Sequence, residues 1–204
     1  MQTGRIAVQL IMLAALAGCL STQPRNAANV CSVFEDRRSW YKSARRTEQR
    51  WGVPVAVSMA IIYQESGFQS RVKPARTRIL WVIPEPRPSS AYGYAQALDG
   101  TWSDYIRATG NKGARRHNFA DAIDFVGWYT ARSYRLNGIQ RDDARSLYLA
   151  YHQGHTGYAN GSYRGNQWLL NTAAQVQNNA DRFGAQYSRC ARELEKGWFA
   201  RLFS

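Results

Sequence analysis

In this 204-residue chain, Glu65 is the side chain whose surroundings most favour chemistry. It follows Val55-Ala56-Val57-Ser58-Met59-Ala60-Ile61-Ile62, a stretch apolar on every side, and Gly67 stands two residues on as a helix stop. A carboxyl at the end of a buried apolar helix is desolvated, and desolvation favours its neutral form. A carboxyl kept protonated near neutral pH is what a general acid requires. The competing account is a helix-terminal acid pointing at water. Two downstream stretches carry groups able to hold a substrate: Ala91-Tyr92-Gly93-Tyr94-Ala95-Gln96 and Tyr148-Leu149-Ala150-Tyr151-His152-Gln153-Gly154. His152 and His155 form an H-x-x-H pair with His117 upstream, but in a Gly-rich loop without the helix and acidic partner of a zinc site. No metal and no cofactor are expected.

The three segments, in this order, resemble the lytic transglycosylases of the soluble-lytic-transglycosylase (SLT) type, relatives of goose-type lysozyme. The family pattern is E-S at the end of a buried helix, then G-L-M-Q, then A-Y-N-x-G. It is matched here by Glu65-Ser66, Gly93-Tyr94-Ala95-Gln96 and Ala150-Tyr151-His152-Gln153-Gly154 over roughly residues 50–185. Tyr-Ala replaces the family's Leu-Met, and His152 stands where the family has Asn. Glu65 and Gln96 are 31 positions apart, so residues 71–90 read as an insertion. The resemblance implies a mainly α, lysozyme-like single domain that cleaves the MurNAc-β-1,4-GlcNAc bond of peptidoglycan without water, leaving a 1,6-anhydromuramyl end. Glu65 would serve as acid and then as base. Most glycosidases set two carboxylates about 5–5.5 Å or about 6.5–9.5 Å apart, but no second one lies in the matched motifs.

The resemblance also assigns substrate contacts. Tyr151 would position the N-acetyl group or Glu65, or else be a core tyrosine at helical spacing from Tyr148. Gln96 would hydrogen-bond sugar or peptide stem, or else satisfy loop backbone. His152 would replace the family's Asn amide. Ser66 would touch substrate or bond its own helix end, and Tyr92 and Tyr94 would stack on sugar rings or pack in the core. Two other activities stay open at this level: a hydrolytic goose-type muramidase, and a catalytically idle peptidoglycan-binding lipoprotein.

The elements that must position these groups read as helices. Phe34, Trp40, Tyr41, Ala44, Thr47 and Trp51 recur at three to four residues, predicting an amphipathic helix stopped by Gly52. Pro54 opens the apolar helix that carries Glu65. Residues 70–92 hold four of the six prolines and read as an extended loop with one short hairpin. Asp99 caps a helix to Thr109, Asn118 caps one from Phe119 to Leu136, and Asp142-Asp143 open one to Tyr151. A loop over 152–165 precedes a last helix from about Gln167 to Leu194.

At the N-terminus, Arg5 and an apolar run from Ile6 to Leu16 form a signal-peptide pattern too short to span a bilayer. Leu16-Ala17-Gly18-Cys19 resembles a bacterial lipobox, which implies cleavage before Cys19 and lipidation there. Leu20 after it favours the outer membrane, facing the periplasm of a Gram-negative bacterium. The expected organisation is a signal peptide over 1–18, a lipidated tether over 19–30 and the domain over 31–204. With Cys19 lipidated, Cys31 and Cys190 remain as an even pair in an oxidising space, expected to bridge. The 27 Lys+Arg against 14 Asp+Glu give a formal net charge of +13. Aromatics at 13% exclude a disordered basic tail. The basic residues are scattered rather than clustered, which argues against nucleic acid and for anionic lipid headgroups and acidic peptide stems. The Trp198–Phe203 stretch would touch a membrane interface or pack back on the domain.

Overall fold

The computed structural model describes residues 23–74, 78–79, 83–84 and 89–199; the signal-peptide pattern, Cys19 and residues 200–204 lie outside them. Among the described residues there are seven helices and one two-residue antiparallel strand pair. The helices are α1 (Val30–Asp36), α2 (Arg38–Trp51), α3 (Val55–Ser66), α4 (Asp99–Thr109), α5 (Phe119–Asn137), α6 (Ala144–Ala159) and α7 (Gln167–Phe199). The strands β1 (Arg78–Ile79) and β2 (Ile83–Pro84) pair within the proline-rich insertion, where a short hairpin was expected.

The centre of the fold is α3. Its residues are apolar all round, so it can bury every face, and it packs against α7, α5, α2 and α6. Two close approaches set its neighbours. At Gly127 of α5 a Cβ would fall 2.4 Å from Thr47 Cγ2 and 2.7 Å from Trp51 Cδ1, so α2 and α5 cross in near-backbone contact. The carboxylate of Asp124 then accepts from Trp51 Nε1 (2.8 Å), Arg50 (3.1 Å) and the Tyr105 hydroxyl (2.7 Å), knitting α2, α4 and α5 together. Around the insertion, Trp40 stacks on Phe119 with centroids 3.9 Å apart.

Helix ends follow the chemistry of their residues. Gly52, Gly67, Gly110 and Gly138 close α2, α3, α4 and α5, each in the left-handed conformation that glycine adopts without a Cβ penalty. Asn118 accepts from the Ala120 and Asp121 amides and Asp143 from that of Ser146, as their sequence positions predict. Asp99 is the first residue of α4 rather than its cap; Leu98 holds the cap position, and Asp99 pairs with Arg116 at 2.6 Å.

Four boundaries differ from expectation. The helix read as continuous from Phe34 breaks at Arg37 (φ −134°, ψ 69°). The break lets Val30, Val33 and Phe34 of α1 be buried where α1 lies on α7, while α2 turns its Trp40, Ala44 and Thr47 face into the core along α5. The second difference is that the tether is structured from Gln23 onward. Pro24 is buried, Gln23 donates to the Gly67 carbonyl (2.7 Å), and the Val30 amide donates to Gln186 (2.9 Å). Third, α6 continues through the residues read as a loop and reaches Ala159, with one non-helical residue at Gly154 (φ 76°, ψ 160°). Last, α7 runs on past Leu194 to Phe199.

Cys31 on α1 and Cys190 on α7 form the expected disulfide, with Cα atoms 6.0 Å apart across 159 positions. Among the described residues no helix is long and apolar enough to cross a membrane.

Candidate active site

The last turn of α3 delivers Glu65 to the site. Directly after it the chain turns sharply through two left-handed residues, Gly67 (φ 56°) and Phe68 (φ 64°). Such a conformation costs about 1–2 kcal/mol for a bulky L-residue and persists only where packing enforces it. Phe68 is wholly buried against Trp40 and Tyr63, which supplies that packing and fixes the end of α3.

Glu65 is enclosed by protein on nearly every side, yet the residue keeps part of its surface open to water. Burial lifts its pKa from 4.5 to about 7, against the opposing pull of a hydrogen bond from the Tyr148 hydroxyl. No other acid among the described residues adds to that shift. At neutral pH the carboxyl is therefore poised between its two forms. Tyr148, on α6, is a site residue that sequence reasoning passed over. Its hydroxyl donates to Glu65, and burial with the nearby carboxylate pushes its own ionisation far above the usual range. The signal was available: Tyr148 precedes Tyr151 by three residues inside the same motif, so the two share a helix face.

Tyr151 lies on that face and senses the charge of Glu65, which together with burial raises its pKa well above normal. Its hydroxyl donates to the Ala95 carbonyl at 2.5 Å, so it ties α6 to the Gly93–Gln96 turn. Tyr129 of α5 packs on Tyr151 with centroids 5.1 Å apart, and burial pushes its ionisation up to about 12. All three phenols therefore stay neutral at working pH and act as oriented dipoles.

The Gly93–Gln96 turn is locked from within. Gly93 has φ 80°, and a Cβ there would lie 2.2 Å from the Arg116 carbonyl oxygen, so only glycine fits. Gln96, itself left-handed (φ 46°), donates both amide hydrogens, to Val72 O (3.0 Å) and Gly93 O (2.8 Å). Its nitrogen is thus spent on loop backbone rather than left for substrate. Tyr94 is 5% exposed and packs edge-on against Trp40 and Phe119, so it is a core residue and not a stacking face for sugar. The Ser66 hydroxyl is buried and donates to Ile62 O (3.1 Å), as Ser commonly does within a helix, so it is spent on its own helix. Tyr92 remains partly exposed, with Lys73 (5.2 Å) and Arg116 (5.4 Å) over its ring. It pairs with Ala97 in an isolated bridge at the base of the insertion.

His152 lies one helical turn beyond Tyr148, exposed, with its pKa lowered by the enclosure of its neighbours. His155 points elsewhere: it stacks on Tyr129 at 4.3 Å and meets Ser133 Oγ at 3.1 Å. The two imidazoles of the H-x-x-H pair therefore face different surroundings.

The site thus unites Glu65, Tyr148, Tyr151 and the Gly93–Gln96 turn on a helical scaffold, while the side chains of Tyr94 and Ser66 face away. No curated protein matches the chain. A family model described as a transglycosylase SLT domain matches residues 7–190, most of its length. On that match and on the helical fold, the chain belongs to the transglycosylase SLT domain family, lysozyme-like in fold and lytic on peptidoglycan.

Proposed function

We propose that the protein cleaves the MurNAc-β-1,4-GlcNAc bond by transglycosylation, with Glu65 as the single acid and base. One observation carries this reading: a carboxyl with its pKa near 7, raised by burial with no other acid contributing among the described residues, and hydrogen-bonded by a neutral tyrosine. In the first step Glu65 gives its proton to the glycosidic oxygen, and the C1–O bond breaks. The 2-acetamido oxygen of the same muramyl ring bonds to C1 and holds the cationic charge. The carboxylate left behind keeps the Tyr148 hydrogen bond, which is stronger to the anion than to the acid. In the second step Glu65 removes the C6 hydroxyl proton, O6 bonds to C1, and the acetamido oxygen leaves. The product is a 1,6-anhydro ring and Glu65 is protonated again, so no water is consumed. A pKa near the working pH suits both halves of this cycle.

Tyr151 acts through structure: its bond to Ala95 O holds the turn against α6. Cys19 carries the lipid that places the domain at the outer membrane. The basic surface adds attraction to anionic headgroups and peptide stems that salt weakens. Mass spectrometry of purified sacculi digested with wild type and with Glu65→Gln tests the reading. Anhydro-muropeptides from wild type and none from the variant are expected. Reducing ends would make the enzyme a hydrolytic muramidase, and binding without release would leave it a wall-binding protein.

A further inference from the structure

Trp168 is 62% exposed, an unusual place for the largest apolar side chain. It stands in the first turn of α7, where Asn166 accepts from the Leu169 amide (3.0 Å) and fixes the start of the helix. Its surroundings connect it to the site. Tyr148 and His152 are four residues apart on α6, so they lie on one face, with ring centroids 6.4 Å apart. The His152 ring in turn meets Trp168 at 5.7 Å and 63°. Glu65, Tyr148, His152 and Trp168 therefore form an unbroken row from the acid outward.

The segment after Gly154 is braced by Tyr158 and Tyr163, stacked at 5.2 Å, and by the Ser162 amide bond to Gly157 O (2.9 Å). His152 Nδ1 lies 3.3 Å from Gln153 Nε2, and in the tautomer that accepts from this amide the ring proton stands on Nε2 as a donor. An exposed indole face beside one fixed N–H donor matches a pyranose ring bearing an N-acetyl carbonyl: the apolar ring face stacks and the carbonyl accepts.

We propose that Trp168 and His152 form a binding platform for an N-acetylated sugar of the glycan strand, along the row from the bond that Glu65 cleaves. The assignment rests on the proposed glycan-cleaving reading and names a specificity residue for it. Trp168 acts by stacking and His152 by donating from Nε2.

The test uses the β-1,4-linked hexamer of N-acetylglucosamine and the full domain carrying Glu65→Gln, which holds ligand without turnover. Calorimetric titration should show binding that weakens roughly tenfold when Trp168→Ala is added and stays within about threefold for Trp168→Tyr. Trp168→Leu, apolar but without a ring face, should behave as Trp168→Ala. Because Trp168 is exposed, all three should keep the parent melting temperature, which separates a lost contact from a lost fold. Equal affinity in the parent and Trp168→Ala, or no binding of the hexamer by the parent, overturns the platform. Sacculus cleavage is read separately. Wild-type release of anhydro products with an unchanged KM in Trp168→Ala refutes the platform and leaves the function standing. Hexamer binding that depends on Trp168, in a protein that cleaves nothing, refutes the function and leaves the platform standing.

Discussion

Replacing Glu65 by Gln should stabilise the protein, and by an amount that depends on pH in a way the structure fixes. Gln keeps the size of the side chain and an oxygen to accept the Tyr148 hydroxyl, so the difference between the two proteins isolates one ionisation. In the folded wild type the carboxyl titrates at about 7, against 4.5 without its surroundings. The native state therefore holds its proton more tightly than the unfolded chain. Below pH ~4.5 both states are protonated and the two proteins should be equally stable. Between pH ~4.5 and ~7 the unfolded chain gives up its proton first, and wild type loses stability as pH rises. The deficit reaches ~1.4 kcal/mol at pH ~5.5 and levels off at ~3 kcal/mol above pH ~7.5. For a domain of this size that is ~6–12 °C in melting temperature. Urea unfolding of both proteins at pH 4.5, 5.5 and 8 measures it, and other titrating groups cancel in the difference. A gap that does not change with pH would mean that Glu65 ionises like a surface acid, and the general-acid assignment would lose its physical basis. A gap of opposite sign would require a cationic partner to the carboxylate.

Four shorter predictions follow, three from the same geometry and the last from the lipidation proposed at Cys19. Tyr148→Phe removes the donor that pulls the Glu65 pKa down, so the alkaline limb of the pH–rate profile on sacculi should move upward while turnover falls; an unmoved limb would dissociate Tyr148 from the acid. Gly93→Ala should cost at least ~1–2 kcal/mol from its positive φ alone, and more from the contact with Arg116 O, seen as a lowered urea midpoint together with lost cleavage. Breaking the Cys31–Cys190 bridge by Cys31→Ala with Cys190→Ala should lower stability by up to ~4–5 kcal/mol, given the 159 positions it spans; denaturation with and without reductant checks this. Cys19→Ser should abolish incorporation of labelled palmitate and move the protein from the membrane fraction to the soluble one.

What the chain discloses before folding depends on whether a residue's role is local. Helix stops are local, because a glycine adopts the left-handed conformation whatever lies nearby, and the predicted stops at Gly52 and Gly67 lie where expected. The burial of α3 is nearly as legible, since a helix without a polar face has nowhere else to go. The Arg37 break carries no Gly or Pro to mark it and arises from two helices reaching different neighbours. Gly154 misled in the other direction. Gly-rich composition suggests a loop, yet one non-helical residue suffices to bend α6 and the helix resumes. Side-chain direction is the least local property of all. Gln96, Tyr94 and Ser66 occupy the family's motif positions, but packing decides that one closes a loop, one fills the core and one bonds its own helix.

That contrast explains how the motif survives its own departures. What Gly93–Gln96 contributes here is a fixed turn: a glycine that fits beneath Arg116 O, the Gln96 side-chain amide that closes the turn and a carbonyl at Ala95 that anchors Tyr151. None of these needs the Leu-Met pair of the family pattern, so Tyr-Ala can stand there provided that Tyr94 finds a buried place, which Trp40 and Phe119 supply. The acid is under a different constraint. Its pKa depends on enclosure, and enclosure comes from α3 being gripped by its neighbours, chiefly α7. Burying Glu65 costs ~3 kcal/mol at neutral pH. The bridge from Cys31 to Cys190, which joins α1 to the same long helix, contributes an effect of comparable size in the opposite direction. An ionisable group held inside the fold is a standing strain on a small domain, and the covalent tie on α7 offsets it without touching the site.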